Sequence, residues 1–213
     1  MFASFLSRHR AIIVIGGILA LASAVVVAFT LQRPDPPTFA PSPVEPDPVG
    51  EELAGPLVRT VDATASDEWT FFSFRTGAVV TDPGPLEWDL AFRRFRIIAN
   101  GGDGFAGQGG IVDLGEVPFD SVRALPADGY AGTRARGDSV NEAIERWYSY
   151  SIFSHLLSPD LRVYGVRTAD GRYAKMEILG YYCPGAQPGC MTIRYVFQGD
   201  GSREVAAPEP GGA

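Results

Sequence analysis

VYGVRTADGRYAKMEILGYY, residues 163 to 182, is the stretch whose reading decides the fold. Val163 to Thr168 has the β-branched and aromatic content of a strand, Asp170-Gly171 offers the positive φ of a two-residue hairpin turn, and Arg172 to Tyr182 returns. Along the return, Ala174, Met176 and Ile178 fall on one face and Tyr173, Lys175 and Glu177 on the other. That is the period of a sheet with one side on a core and the other in water. Past a short loop, Met191, Ile193, Tyr195 and Phe197 alternate with Thr192, Arg194 and Gln198. The pattern predicts an antiparallel meander of three strands.

Upstream, WDLAFRRFRIIANGGDGFAGQGG (88 to 110) opens as a strand. Trp88, Leu90 and Phe92 keep period two, and the phase then changes to Phe95, Ile97 and Ala99, which predicts a bulge or bend near Arg93-Arg94. Asn100-Gly101-Gly102-Asp103-Gly104 follows, with Gly107, Gly109 and Gly110 close behind. A glycine run of this kind makes a turn or a close passage of backbones, and a phosphate cradle is the alternative. No Gly-Lys-Ser/Thr and no helix-opening periodicity follow it, which favours the turn.

Together with MTIRYVFQ (191 to 198) and TFFSF (70 to 74), these segments resemble the HmuY family of envelope haem-binding proteins. The likeness covers about residues 55 to 200. It is carried by Trp88 to Phe92, Asn100-Gly101-Gly102, Gly107 to Gly110 and Val166 to Lys175. The resemblance implies a mainly β, extracytoplasmic domain, and haem capture as the family's namesake activity. It also implies that axial ligands, paired histidines or methionines, come from the region between the glycine-rich segment and the strand at 163.

The chain has 213 residues and a net charge of −7, and Lys175 is the sole lysine. Such a length holds one domain with appendages, and the absence of a basic stripe argues against nucleic acid. Residues 11 to 31 carry no charge. At about 1.5 Å per residue they would match a bilayer core of about 30 Å. Arg8 and Arg10 precede the stretch, and Arg33 is offset by Asp35, so the positive-inside rule puts residues 1 to 10 in the cytoplasm and the rest outside. Ala22-Ser23-Ala24 would also suit a cleaved signal. Val25 to Phe29 continue the apolar run past that site, which favours an uncleaved anchor. No cysteine near the segment offers lipid attachment.

The expected organisation is thus a single-pass protein of the bacterial cytoplasmic membrane with a periplasmic domain. A proline-rich tether at 32 to 50 leads to a β domain at 51 to 200, and a disordered tail closes the chain at 201 to 213. Within the domain, Ser139 to Glu142 has the form of a capping box, and Val140, Ala143, Ile144 and Trp147 share a face. That pattern predicts one short helix. Tyr148, Tyr150 and Phe153 then form an aromatic segment, either core or the wall of a flat-ligand pocket.

Cys183 and Cys190 bracket a PGAQPG loop between adjacent strands, where a disulfide is the natural pairing in an exported domain. A metal site is the alternative, but one cysteine pair with no nearby histidine does not complete a tetrahedron. Haem requires His, Met, Cys or Tyr. Residues 111 to 162 contain His155 and no other His, Met or Cys. The family's paired clamp is therefore absent. His155 is either an ordinary loop histidine or a single ligand, with Tyr148 or Tyr150 as partners in a mixed site, while Met176 and Met191 read as core. No G-x-S-x-G or acid/base pair points to an enzyme, and Asp89 beside Arg93 and Arg94 reads as a cross-strand ion pair. Two functions follow: a membrane-tethered haem-binding module, or a non-catalytic envelope domain of the same fold that serves another ligand or a protein partner.

Overall fold

In the computed structural model the described residues are 2 to 31, 34 to 43, 45 to 48, 50 to 136 and 138 to 206. The chain runs α1 (Phe2–Leu31), β1 (Leu53–Asp62), β2 (Thr70–Ser73), β3 (Ala78–Val80), β4 (Leu90–Arg93), β5 (Arg96–Ala99) and β6 (Gly110–Gly115). It continues through β7 (Arg134–Arg136), β8 (Asp138–Val140), β9 (Tyr148–Tyr150), β10 (Leu157–Pro159), β11 (Val163–Arg167), β12 (Tyr173–Cys183) and β13 (Gln187–Gln198). Two compact units result. One groups α1 and residues 34 to 36 with the loop 150 to 156, and the other holds the sheets.

The meander forms as its pattern requires. β11, β12 and β13 are consecutive antiparallel neighbours in a five-stranded sheet of order β1-β13-β12-β11-β6. The turn between β11 and β12 is longer than the sequence implied. Gly171 takes φ +85°, but Thr168 N–H donates to Arg172 O, so Ala169, Asp170 and Gly171 form a three-residue loop. Ala174 stands opposite Phe197, Met176 opposite Tyr195 and Ile178 opposite Ile193, all at most 2 % exposed. A second sheet, β3-β2-β4-β5, covers this face, with Phe72 and Phe74 edge-on to Tyr195 at 5.8 and 5.1 Å.

The other face of β12 is not wet. Lys175 and Glu177 are buried, because Phe119, Leu125 and Val205 pack with Val163 and Val196 over that side. Lys175 stays solvated by protein, donating from Nζ to Phe119 O and Val122 O at 3.1 and 2.7 Å. Alternation alone cannot tell a watered face from one covered by a distant loop. The same packing corrects the expected tail: Val205 is fully buried and Glu204 bridges to Ala124. Residues 207 to 213 lie outside the described residues.

Two other local expectations change, and one holds. The phase shift at Arg93-Arg94 is a hairpin turn rather than a bulge, since Arg93 pairs with Arg96 across a two-residue loop in which Arg94 takes φ +55°. The short helix expected at 139 is not formed. Ser139 and Val140 are in β8, paired with Ala135 and Arg134, and Asn141 opens the following turn, its Oδ1 accepting Ala143 N–H. Only a turn over 142 to 146 follows, which still buries Ile144 and Trp147. The glycine run makes the close passage of backbones that its composition suggests. A Cβ on Gly101 would lie 2.1 Å from Gly109 O, and Asn100 ties the crossing, its Nδ2 donating to Pro85 O and Trp88 O while its Oδ1 accepts Gly107 N–H.

The described part of the proline-rich segment has no helix or strand, and from residue 37 it belongs to the β unit. Phe39 N–H donates to Tyr182 O, Ser42 N–H to Thr60 O and Asp47 N–H to Thr76 O. Among the described residues no helix is long and apolar enough to cross a membrane. α1 is helical over its 30 residues, and its described apolar side chains, Ile12 to Val27, are exposed.

Candidate functional site

Cys183 and Cys190 are joined by a disulfide, with Cα atoms 4.9 Å apart, at the ends of the β12–β13 connection. The pair is structural, and among the described residues no group of three or more His, Cys, Asp or Glu could hold a metal ion.

Asp89 is not in an ion pair with Arg93 or Arg94. Its Oδ2 accepts Phe74 N–H at 2.8 Å and its Oδ1 accepts Ala169 N–H at 3.0 Å, so the carboxylate links the end of β2 to the β11–β12 turn. Arg93 and Arg96 pair instead with Asp138, and the Arg94 guanidinium donates to Thr64 O and Pro188 O. Burial pushes the Asp89 carboxyl up to about 6, against the pull of the two backbone donors and Ser73. A cleft of about 360 Å³ opens beside it, lined by Ser73, Thr76, Asp89, Thr168 and Asp170 among others. The lining is mixed, with the charged Arg75, Glu87, Asp89 and Asp170 set beside the apolar Val80, Leu86 and Phe197.

The aromatic segment divides. Tyr148 lies edge-on to Trp147 and Phe95, at 5.0 and 5.9 Å, and Trp147 continues to Tyr181 at 5.7 Å while its Nε1 donates to Phe95 O. This is core packing carried to the surface, where Phe95 is 40 % exposed. A cleft of about 100 Å³ runs along Phe95, Arg96, Ile97, Val140 and Asn141.

His155 is exposed, and so are Tyr150, Ile152 and Phe153. Ser151 folds this loop on itself: its N–H donates to Leu156 O, its carbonyl accepts His155 N–H, and its Oγ accepts Ser154 N–H. The turn places His155 at φ +56° and brings its Nδ1 to 2.5 Å from the Tyr150 hydroxyl. The pairing of Tyr150 with His155 escaped the sequence reading, because a separation of five matches neither strand nor helix period. The available signal was the Ser-rich stretch at 151 to 154, whose hydroxyls favour such turns. Met176 and Met191 are both fully buried in the sandwich and present no sulfur to a ligand.

The HmuY protein family matches residues 65 to 195, well over half of the chain. The chain belongs to the HmuY family. Solved structures agree on the fold. The HmuY analogue of Tannerella forsythia, in its apo form, superposes with a TM-score of 0.58 at 20 % identity, covering 70 % of this chain and 98 % of that one. A Bacteroides vulgatus protein described as HmuY-like and haem-binding gives 0.52 at 24 %, covering 68 % and 91 %. A Bacteroides fragilis protein described as a lipoprotein gives 0.54 at 16 %, covering 70 % and 93 %. No curated protein matches the chain.

Tested against haem, the described donor set fits one axial ligand and not two. His155 is the one described imidazole outside α1, is exposed, and has its Nδ1 in a hydrogen bond with the Tyr150 hydroxyl. Among the described residues, the buried Met176 and Met191 and the disulfide-bonded Cys183 and Cys190 offer no second.

Proposed function

We propose that this chain is a membrane-tethered, extracytoplasmic haem-binding protein of the HmuY type, serving haem capture, with His155 as its single strong protein ligand. The observation that carries this reading is the exposed His155 imidazole, held by Tyr150, in the region where the family resemblance places haem ligands. Haem bound there would supply the iron centre, and the chain's own contribution is to orient one imidazole beside the exposed apolar side chains Ile152 and Phe153. Tether and export rest on the sequence, on the charge-free stretch 11 to 31 with Arg8 and Arg10 before it. Nothing in the site calls for covalent chemistry, and the reading is of a binding protein rather than an enzyme.

A second reading is favoured by the missing ligand pair: a non-catalytic domain of the same fold that has lost haem and binds another ligand or a protein partner. Haemin titrated into the detergent-solubilised chain separates the two. Wild type is expected to give a saturable Soret shift at one equivalent, and His155→Ala to bind at least about tenfold more weakly, a difference of about 1.4 kcal/mol. No saturable binding by wild type favours the second reading, and equal binding by the variant removes His155 from the site.

A further inference from the structure

We propose that the cleft beside Asp89 is a binding site for a small aliphatic amine, a single ammonium group on a short apolar body. The proposal is independent of the haem reading. Separate parts of the chain converge on this cleft: the end of β2 and the turn after it (Ser73, Thr76), the segment before β4 (Leu86, Glu87) and the β11–β12 turn (Thr168, Asp170). At about 360 Å³ it has the size of a small-molecule site. Its charge is not balanced. Asp170 is answered by Arg75 and Arg172, at 2.6 and 2.5 Å, whereas among the described residues neither Glu87 nor Asp89 is in an ion pair. Two arginines thus face three carboxyls, an excess of one negative charge when Asp89 is ionised. A monocation neutralises it.

An unmet hydrogen bond points to the same ligand. Thr76 Oγ1 is buried and makes no hydrogen bond, and Thr76 lines this cleft. A buried hydroxyl left unpaired is costly, and a donor entering the cleft would satisfy it. An ammonium carries three N–H donors and no acceptor, which suits a lining whose free groups are carboxylate and hydroxyl oxygens. Val80, Leu86 and Phe197 supply apolar surface for the carbon chain. A carboxylate ligand would instead meet Glu87 and Asp89 as like charges. Binding of a cation is linked to the ionisation of Asp89, whose carboxyl burial pushes up to about 6. Asp170 raises it further, Ser73 and the N–H groups of Phe74 and Ala169 lower it, and Arg75 and Glu87 share the lining. A bound cation favours the ionised form, so affinity should rise as pH climbs through 6.

The test titrates n-pentylamine into the haem-free, detergent-solubilised full-length chain by isothermal calorimetry, with 1-pentanol and pentanoate as probes of the same length. At pH 7 the amine is expected to bind saturably at one equivalent, and both other probes at least about tenfold more weakly. Amine affinity is expected to fall about tenfold from pH 7 to pH 5, as Asp89 takes up its proton while the alkylammonium stays charged. Glu87→Gln and Thr76→Val should each weaken the amine about threefold to tenfold. Thr76→Val removes the unpaired hydroxyl and should keep or raise stability, so a loss of binding in that variant reads the contact and not the fold. No saturable binding of the amine, equal affinity for amine and alcohol, or unchanged affinity in either variant overturns the proposal. An affinity that is the same at pH 5 and pH 7 overturns it as well, since Asp89 is then not among the groups that meet the amine.

Discussion

A carboxylate that accepts backbone N–H groups on both of its oxygens has no isosteric substitute, and Asp89 is such a group. In Asp89→Asn one oxygen becomes an NH₂ that faces either Phe74 N–H or Ala169 N–H, leaving two buried donors opposed. The expected cost at pH 7 is about 2 to 3 kcal/mol, measured by denaturant unfolding. The pH dependence has a definite sign. The folded carboxyl titrates at about 6 against 3.8 for the free group, so between those values the folded state holds the proton more tightly than the unfolded one. The stability contributed by this group is full below about pH 3.8 and is lost as pH rises through 6, on the order of 3 kcal/mol for the whole window. Wild-type stability followed from pH 4 to 7 should carry this fall, and Asp89→Asn should be flatter over the same range. Parallel profiles would show that Asp89 does not titrate there.

At the level of elements, the disulfide and the meander belong together. The bridge joins β12 to β13 across a separation of seven residues, and closing so short a loop removes little unfolded-state freedom, about 2.5 kcal/mol in the chain-entropy account. Reduction, or Cys183→Ala with Cys190→Ala, is therefore expected to lower stability by about that amount without unfolding the sheet. Thermal unfolding in the presence and absence of reductant measures it, and loss of cooperative unfolding on reduction would mean that the bridge holds the fold itself. The meander was legible in the sequence because period two, a Gly at the turn and aromatic density all agreed over residues 163 to 198. The covered face of β12 was not, since Lys175 and Glu177 look like surface residues until a loop some fifty positions earlier is laid over them. Position 139 misled for the opposite reason: Ser139 and Glu142 fit a capping box, but pairing of Ser139 and Val140 with β7 took those residues first. At the candidate site, His155 stands out only by the absence of other His, Met or Cys in residues 111 to 162, whereas its bond to Tyr150 depends on a turn that no periodicity announces.

For the whole molecule, the account requires an acidic β unit held outside the membrane by the segment before it. Expressed in a Gram-negative host, the chain is expected to stay in the membrane pellet after carbonate extraction, with the region beyond residue 50 open to protease in spheroplasts. A soluble product beginning near Val25 would contradict the anchor. The central claim is narrower: haem is bound by one strong protein ligand, His155. The most direct measurement is the electron paramagnetic resonance spectrum of the purified full-length chain loaded with one equivalent of ferric haemin. The account predicts an axial high-spin signal that is lost or altered in His155→Ala, because a single imidazole leaves the opposite position to water or a weak ligand. A rhombic low-spin signal from two strong ligands, or a spectrum identical in His155→Ala, would contradict it.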